Sequence, residues 1–191
     1  VGKTAQRAAT YEDLLKVPDN LVAEIVEGEL FTSPRPASRH THAASLLGGI
    51  IIVAFNDGGG GPGGWWILDE PELHLGPDVL VPDIAGWRRS RMPVLPSVPA
   101  FTLPPDWVCE VISPHTGRLD RVRKLPAYAR EEIPYAWIVD PIQRTIEAYR
   151  LERGHWVSLG AYGGNDTVRI EPFDAIEIPL ASLWLPEAPV A

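Results

Sequence analysis

Two periods of apolar and polar positions divide this chain into elements. Thr10-Tyr11-Glu12-Asp13 opens a short helix, with Thr10 as N-cap and Asp13 at the capping-box position, and Pro18-Asp19-Asn20 ends it. Residues 21–26 and 29–32 flank Glu27-Gly28, a compact hairpin signal. Apolar residues recur through Leu46, Leu47, Ile50, Ile51 and Val53, so 37–55 reads as the first long helix with Ser38 as its cap. A glycine-rich loop at 58–64 follows, then strand patterns at 65–69, 79–87 and 107–113. Prolines at 93, 96, 99, 104 and 105 make 92–105 a loop. A helix over 119–131 and a strand over 136–139 come next. Strands at 145–151, 155–161, 167–170 and 175–178 follow, the first three separated by turn signals as a meander. This order predicts a mixed α/β (α+β) protein of one domain over 1–191. Its core is helix–three strands–helix–strand over about 37–140. An N-terminal helix and hairpin (10–33) and a C-terminal β extension (144–180) are added to it. The last strand–helix–strand unit is expected to pair in parallel.

Two isolated acids interrupt the strand patterns. Asp83 lies in Val79-Leu80-Val81-Pro82-Asp83-Ile84-Ala85, and Glu110 lies in Trp107-Val108-Cys109-Glu110-Val111-Ile112. Strand alternation sets Asp106, Val108, Glu110 and Ile112 on one face and Trp107, Cys109 and Val111 on the other. A carboxylate in such surroundings must be paired, protonated or bound to a cation. Lys124, on the following helix, completes a set suited to phosphodiester chemistry. Two carboxylates can hold Mg²⁺, a small, hard ion that prefers oxygen ligands, and a lysine can offset charge on the phosphorane. A plain structural reading is equally open, in which Asp83 caps a strand end and Glu110 pairs with an arginine such as Arg123. Asp120 and Lys124, four apart, also suit an ordinary helical ion pair.

Composition changes this picture in one respect. The net charge of −8 disfavours a sequence-independent nucleic-acid binder, which relies on a basic surface. Positive residues nevertheless cluster, at Arg88, Arg89 and Arg91 and again at Arg118, Arg121, Arg123, Lys124 and Arg130. The tail after Arg169 carries Glu171, Asp174, Glu177 and Glu187 without Lys or Arg. No run approaches the roughly 18 apolar residues of a membrane span, and no signal-peptide h-region follows Val1. The single Cys109 sits in a predicted core strand, so a cytoplasmic location is expected. Gly2-Lys3-Thr4 lacks the glycines and strand of a phosphate-binding loop. The five histidines show no zinc spacing beyond His40-Thr41-His42.

Several blocks together resemble a known family. They are Val81-Pro82-Asp83, Asp106-Trp107-Val108-Cys109-Glu110-Val111-Ile112-Ser113-Pro114-His115-Thr116, then Asp120, Lys124, Tyr128 and Trp137-Ile138-Val139-Asp140-Pro141. With Ala23-Glu24-Ile25-Val26-Glu27-Gly28-Glu29-Leu30, Pro34 and His42, they are similar to the putative restriction endonuclease family of bacteria, long a domain of unknown function within the PD-(D/E)XK nuclease superfamily. The resemblance covers about residues 10–180. It implies a restriction-endonuclease-like fold with Asp83 and Glu110 as metal ligands, Glu24 completing the metal shell, and Lys124 as catalytic lysine. In the superfamily that lysine stands two residues after the glutamate, where this chain has Ile112, so the role must pass to Lys124 on the helix. Asp120 and His42 are supporting candidates. Tyr128 reads as core.

The expected function is hydrolysis of DNA phosphodiester bonds by a Mg²⁺- or Mn²⁺-dependent endonuclease acting as a homodimer. Arg118, Arg121 and the Arg88–Arg91 cluster, Arg89 among them, would contact phosphates. The competing expectation is a catalytically inactive nuclease-fold module that binds a partner or dimerises. The acidic composition and seven tryptophans favour that second reading.

Overall fold

A computed structural model describes residues 7–186; Gly2-Lys3-Thr4 and Glu187 lie outside them. The chain builds two main sheets. The smaller is formed by β1 (Leu21–Val26), β2 (Glu29–Pro34), β4 (Leu73–Leu75) and β5 (Asp78–Leu80), in the order β2-β1-β5-β4. The larger contains β3 (Trp65–Asp69), β6 (Ile84–Arg88), β7 (Trp107–Val111), β8 (Tyr135–Asp140), β9 (Thr145–Glu152) and β10 (His155–Gly163). Its order is β10-β9-β8-β7-β6-β3. Among the strands of the described residues only β7 and β8 pair in parallel, as expected for strands joined through a helix.

The expected strand 79–87 is in fact two strands in two different sheets. Pro82 cannot donate to a ladder, and Val81-Pro82-Asp83 becomes the crossing between β5 and β6. Glu70-Pro71-Glu72 crosses the other way, from β3 to the short β4 that alternation did not predict. The two crossings are tied where the Glu70 N–H donates to the Asp83 carbonyl at 3.0 Å. Another difference lies near the C-terminus. The third strand of the expected meander, β11 (Thr167–Val168), leaves β10 and pairs with β12 (Ile178–Pro179) in a separate two-stranded sheet.

Helices cover the larger sheet on both faces. α1 (Tyr11–Leu14) is a single turn whose Thr10 N–H and hydroxyl both donate to Asp13. α2 (Ser38–Ile51) widens into a π-type turn over Ile52–Asn56. Its buried stripe Ala43, Leu47 and Ile51 packs on one face of the sheet with Trp107, Cys109, Val111 and Phe173. The opposite face, carrying Val108 and Ile112, packs with Val26, Leu80, Leu125 and Tyr128. The alternation read along β7 is therefore correct, and both of its faces are core. α3 (Gly117–Leu119), a π-type turn Asp120–Lys124 and α4 (Leu125–Arg130) run on as one helix between β7 and β8. Among the described residues, no helix is long and apolar enough to cross a membrane.

Candidate active site

Asp83 and Glu110 are neighbours because β6 and β7 pair antiparallel with Ile84 opposite Cys109. One further step in that register sets Asp83 beside Glu110. Asp83 Oδ2 accepts the Val111 N–H at 2.7 Å, which fixes the carboxylate against β7. Glu110 points to the helix side and is 3% exposed. There Lys124 Nζ lies 2.8 Å from Glu110 Oε1 and 2.8 Å from Glu24 Oε1, with Asp120 Oδ1 at 3.8 Å. The widened π-type turn carries both Asp120 and Lys124 inward, while Val122 between them faces solvent. Such turns occur often at functional sites.

Glu24 arrives from β1 in the other sheet. Its Oε1 also accepts the N–H of Val81, in the crossing that leads to Asp83. Lys124 Nζ lies 3.3 Å from the Val81 carbonyl, so hairpin, crossing and helix meet at one ammonium. Tyr128, one turn beyond Lys124, donates to Glu110 Oε1 at 2.5 Å. The residue expected to be core is buried, and it also holds a candidate ligand. Tyr128→Phe leaves a buried carboxyl oxygen without this donor, and urea unfolding should show a loss of about 1–3 kcal/mol. A variant as stable as the wild type would show that Glu110 does not rely on the phenol.

Electrostatics follow from the crowding. Burial, with Asp120, Asp83 and Glu24 nearby, pushes the Glu110 carboxyl well above its ordinary range against the pull of Lys124. Burial also lifts Asp120, to about 6. For Lys124 burial alone would favour the neutral amine, but Glu110 and Glu24 outweigh it and hold the group as an ammonium. Burial likewise works against a charged His40, yet its contact with Asp83 Oδ1 at 3.0 Å and the charges of Asp120 and Glu70 raise it above its usual value. Five carboxylates, Glu24, Glu70, Asp83, Glu110 and Asp120, thus surround the Lys124 ammonium and the His40 imidazole in the cleft.

The structure brings Asp83, Glu110, Lys124, Glu24 and Asp120 to one cleft of about 360 Å³. It does not bring His42 there. The helix presents His40 instead, which shares the buried stripe of Ala43, Leu47 and Ile51, whereas His42 shares the outer face with exposed Leu46. That three- and four-residue spacing was available in the sequence. Glu70 at the cleft mouth was also missed; its signal was an acid preceding proline at a strand end. Glu70 adopts φ +45° there.

Two expected phosphate contacts are committed elsewhere. Arg89 lies over the Trp66 ring and donates to the carbonyls of Trp65 and Asn56, and Arg121 pairs with Glu147 at 2.5 Å. Arg123 pairs with Glu27 and Glu29, so it does not neutralise Glu110. Arg118 makes no ion pair or hydrogen bond among the described residues. It lines a second cavity whose wall shares Ser33, Pro34, His115 and Thr116 with the cleft.

Whether these groups suit a divalent cation depends on their donors. Among the described residues, no three His, Cys, Asp or Glu side chains converge on one metal position. Glu24 is turned to Lys124 and the Val81 amide, not to Asp83. The pair Asp83 and Glu110 does fit. Both offer hard oxygen atoms at a cleft with excess negative charge, and Mg²⁺ uses one or two carboxylates while keeping several waters.

A comparison with curated proteins finds no match. Among solved structures, the chain is similar to one described as a putative nuclease belonging to DUF820, from Anabaena variabilis. The identity is 20%, the TM-score 0.73, and the match covers 92% of this chain and 97% of that one. At that identity the likeness establishes the fold, a nuclease fold of mixed helices and sheet. The family model described as putative restriction endonuclease, Uma2, matches residues 8–181, nearly the whole length, and the chain therefore belongs to the Uma2 family.

Proposed function

We propose that this protein is a Mg²⁺- or Mn²⁺-dependent endonuclease that hydrolyses DNA phosphodiester bonds in the cleft of Asp83, Glu110 and Lys124. The observation that carries this reading is the convergence of Asp83, Glu110, Glu24, Asp120 and Lys124 from two sheets and a helix into one open cleft. A purely structural ion pair needs no such excess of carboxylates, which costs stability unless something positive joins it.

Asp83 and Glu110 would hold the cation, which supplies Lewis acidity to a phosphoryl oxygen and lowers the pKa of a water. Asp83 is kept in place by the Val111 amide and Glu110 by the Tyr128 hydroxyl. Lys124 acts as a fixed positive charge for the developing phosphorane, because its two carboxylate neighbours keep it protonated. It is thus poorly suited to take a proton. Asp120, lifted to about 6, is the better proton acceptor near neutral pH. Glu24 positions Lys124 instead of joining the metal shell. DNA as the substrate rests on the family's description as restriction endonuclease.

Supercoiled plasmid incubated with Mg²⁺ or Mn²⁺ should be nicked by the wild type and not by Asp83→Asn. Nicking that survives that substitution would overturn the assignment. The competing reading, an inactive module, is favoured by one observation: among the described residues, three metal-ligating side chains do not converge. Calorimetry with Mn²⁺ separates the two, since an active site should show binding that is lost in Glu110→Gln.

A further inference from the structure

Two other cavities of opposite chemistry share wall residues with the cleft and none with each other. One, of about 470 Å³, is reached past Ser33, Pro34, His115 and Thr116. No Asp or Glu lines it. Arg118 stands in its wall without a partner among the described residues, and Phe31 adds a half-buried ring. The other, of about 410 Å³, is reached past Val22, Arg35, Glu70 and Val81. Asp19, Glu70 and Glu72 line it against a single cation, Arg35, whose guanidinium donates to the Asp19 carbonyl at 2.9 Å.

We propose that these three cavities form a one-sided channel for a single anionic strand, with phosphates running from the cleft into the Arg118 arm and excluded from the Glu72 arm. The inference rests on the endonuclease reading and specifies its substrate: a single strand, a frayed strand end or a strand opened locally by negative supercoiling, not a relaxed, fully paired duplex. Two features carry it. Glu110, Asp120 and Lys124 are 2–3% exposed at the cleft floor and the Asp83 side chain 16%, so a phosphate must descend to them on a narrow backbone. Charge along the channel then changes sign at the site. Cations and aromatic faces bind single strands with little regard to sequence, whereas carboxylates repel the same backbone. Asp19, Glu70 and Glu72 thus stand on the side where the strand does not run and do not oppose binding in the Arg118 arm.

The test is binding of a fluorescein-labelled single-stranded oligodeoxynucleotide, followed by anisotropy, with Ca²⁺ in place of Mg²⁺ to slow cleavage. Arg118→Glu should weaken binding at least about tenfold, and Arg118→Ala should lower the slope of log affinity on log salt by about 0.7, the value for one phosphate contact on a single strand. Arg118 has no partner to lose, so thermal melting should be unchanged in both. Glu72→Gln, which keeps an acceptor for Tyr11 and His74, should leave affinity within twofold. Arg118→Glu binding as tightly as wild type would overturn the channel, as would tenfold tighter binding by Glu72→Gln. A blunt duplex bound as well as the single strand would overturn it too. If the wild type binds no single strand, the channel is wrong, and the plasmid assay then decides separately whether the nuclease reading survives.

Discussion

Lys124→Met is expected to be the most damaging substitution in this protein, lowering folding stability by about 3–5 kcal/mol and plasmid nicking by at least about 100-fold. Lys124 is 2% exposed, and its ammonium lies 2.8 Å from both Glu24 and Glu110. Methionine fills a similar volume, so the loss measured is that of charge. Glu24, Glu110 and Asp120 are left to repel one another in a desolvated site, which is the situation in which removing one partner of a buried pair costs most. Urea unfolding in EDTA reads this term, and nicking reads the chemistry. Adding Glu110→Gln to the methionine variant should recover part of the stability and none of the activity, because the coupling between neighbours is not additive. A loss below about 1 kcal/mol in the single variant would mean that the ammonium is not what holds these carboxylates together.

A second large effect is the pH dependence of the metal-free protein, which should be most stable in mild acid. Asp120 has a carboxyl pKa of about 6 in the folded chain, against about 3.9 when unfolded. The folded state therefore binds the proton more tightly. Its contribution is complete below about pH 4 and lost as pH rises through about 6, a decline of about 2–3 kcal/mol. Glu110 is displaced in the same direction, and so is His40, whose contribution is present below its unfolded pKa and fades above the folded one. Denaturant titrations in EDTA across pH 4–8 should show this fall, and Asp120→Asn should flatten it. Mg²⁺ should restore stability at the alkaline end by standing in for the lost protons. A profile that rises through pH 4–6 would contradict the crowding described for the cleft. Exposed acids held down by arginines or capping, such as Glu27 and Asp13, act in the opposite sense at lower pH.

The reading from sequence succeeded where the signal was local. Glu110 in an apolar strand could not be a solvated acid, and alternation along β7 told which neighbours share its face. It failed where a partner comes from far along the chain. That Lys124 would be gripped by Glu24, a hundred residues earlier on a hairpin, is set by how two sheets abut, and no periodicity encodes it. The run 79–87 has the composition of one strand. Only Pro82 hinted at a break, and proline is equally at home on an edge strand. The choice between His40 and His42 was open to helical spacing, yet the shared motif drew attention to the wrong one of the pair. The expected meander broke after β10, because β12 offered β11 a partner that turn signals cannot reveal.

The crossing Val81-Pro82-Asp83 has a consequence for how this protein can diverge. It supplies a candidate ligand, an amide that anchors Glu24 and a carbonyl facing Lys124, all within three residues of backbone. Insertions in the proline-rich segment before β7 or in the C-terminal hairpin would lengthen loops and leave the cleft unaltered. One residue added here would shift Asp83 against Glu110, and Val81 against Glu24, in a single step. Length at this crossing should therefore be invariant among relatives that keep this cluster of carboxylates and lysine, and the first place to drift in those that lose it.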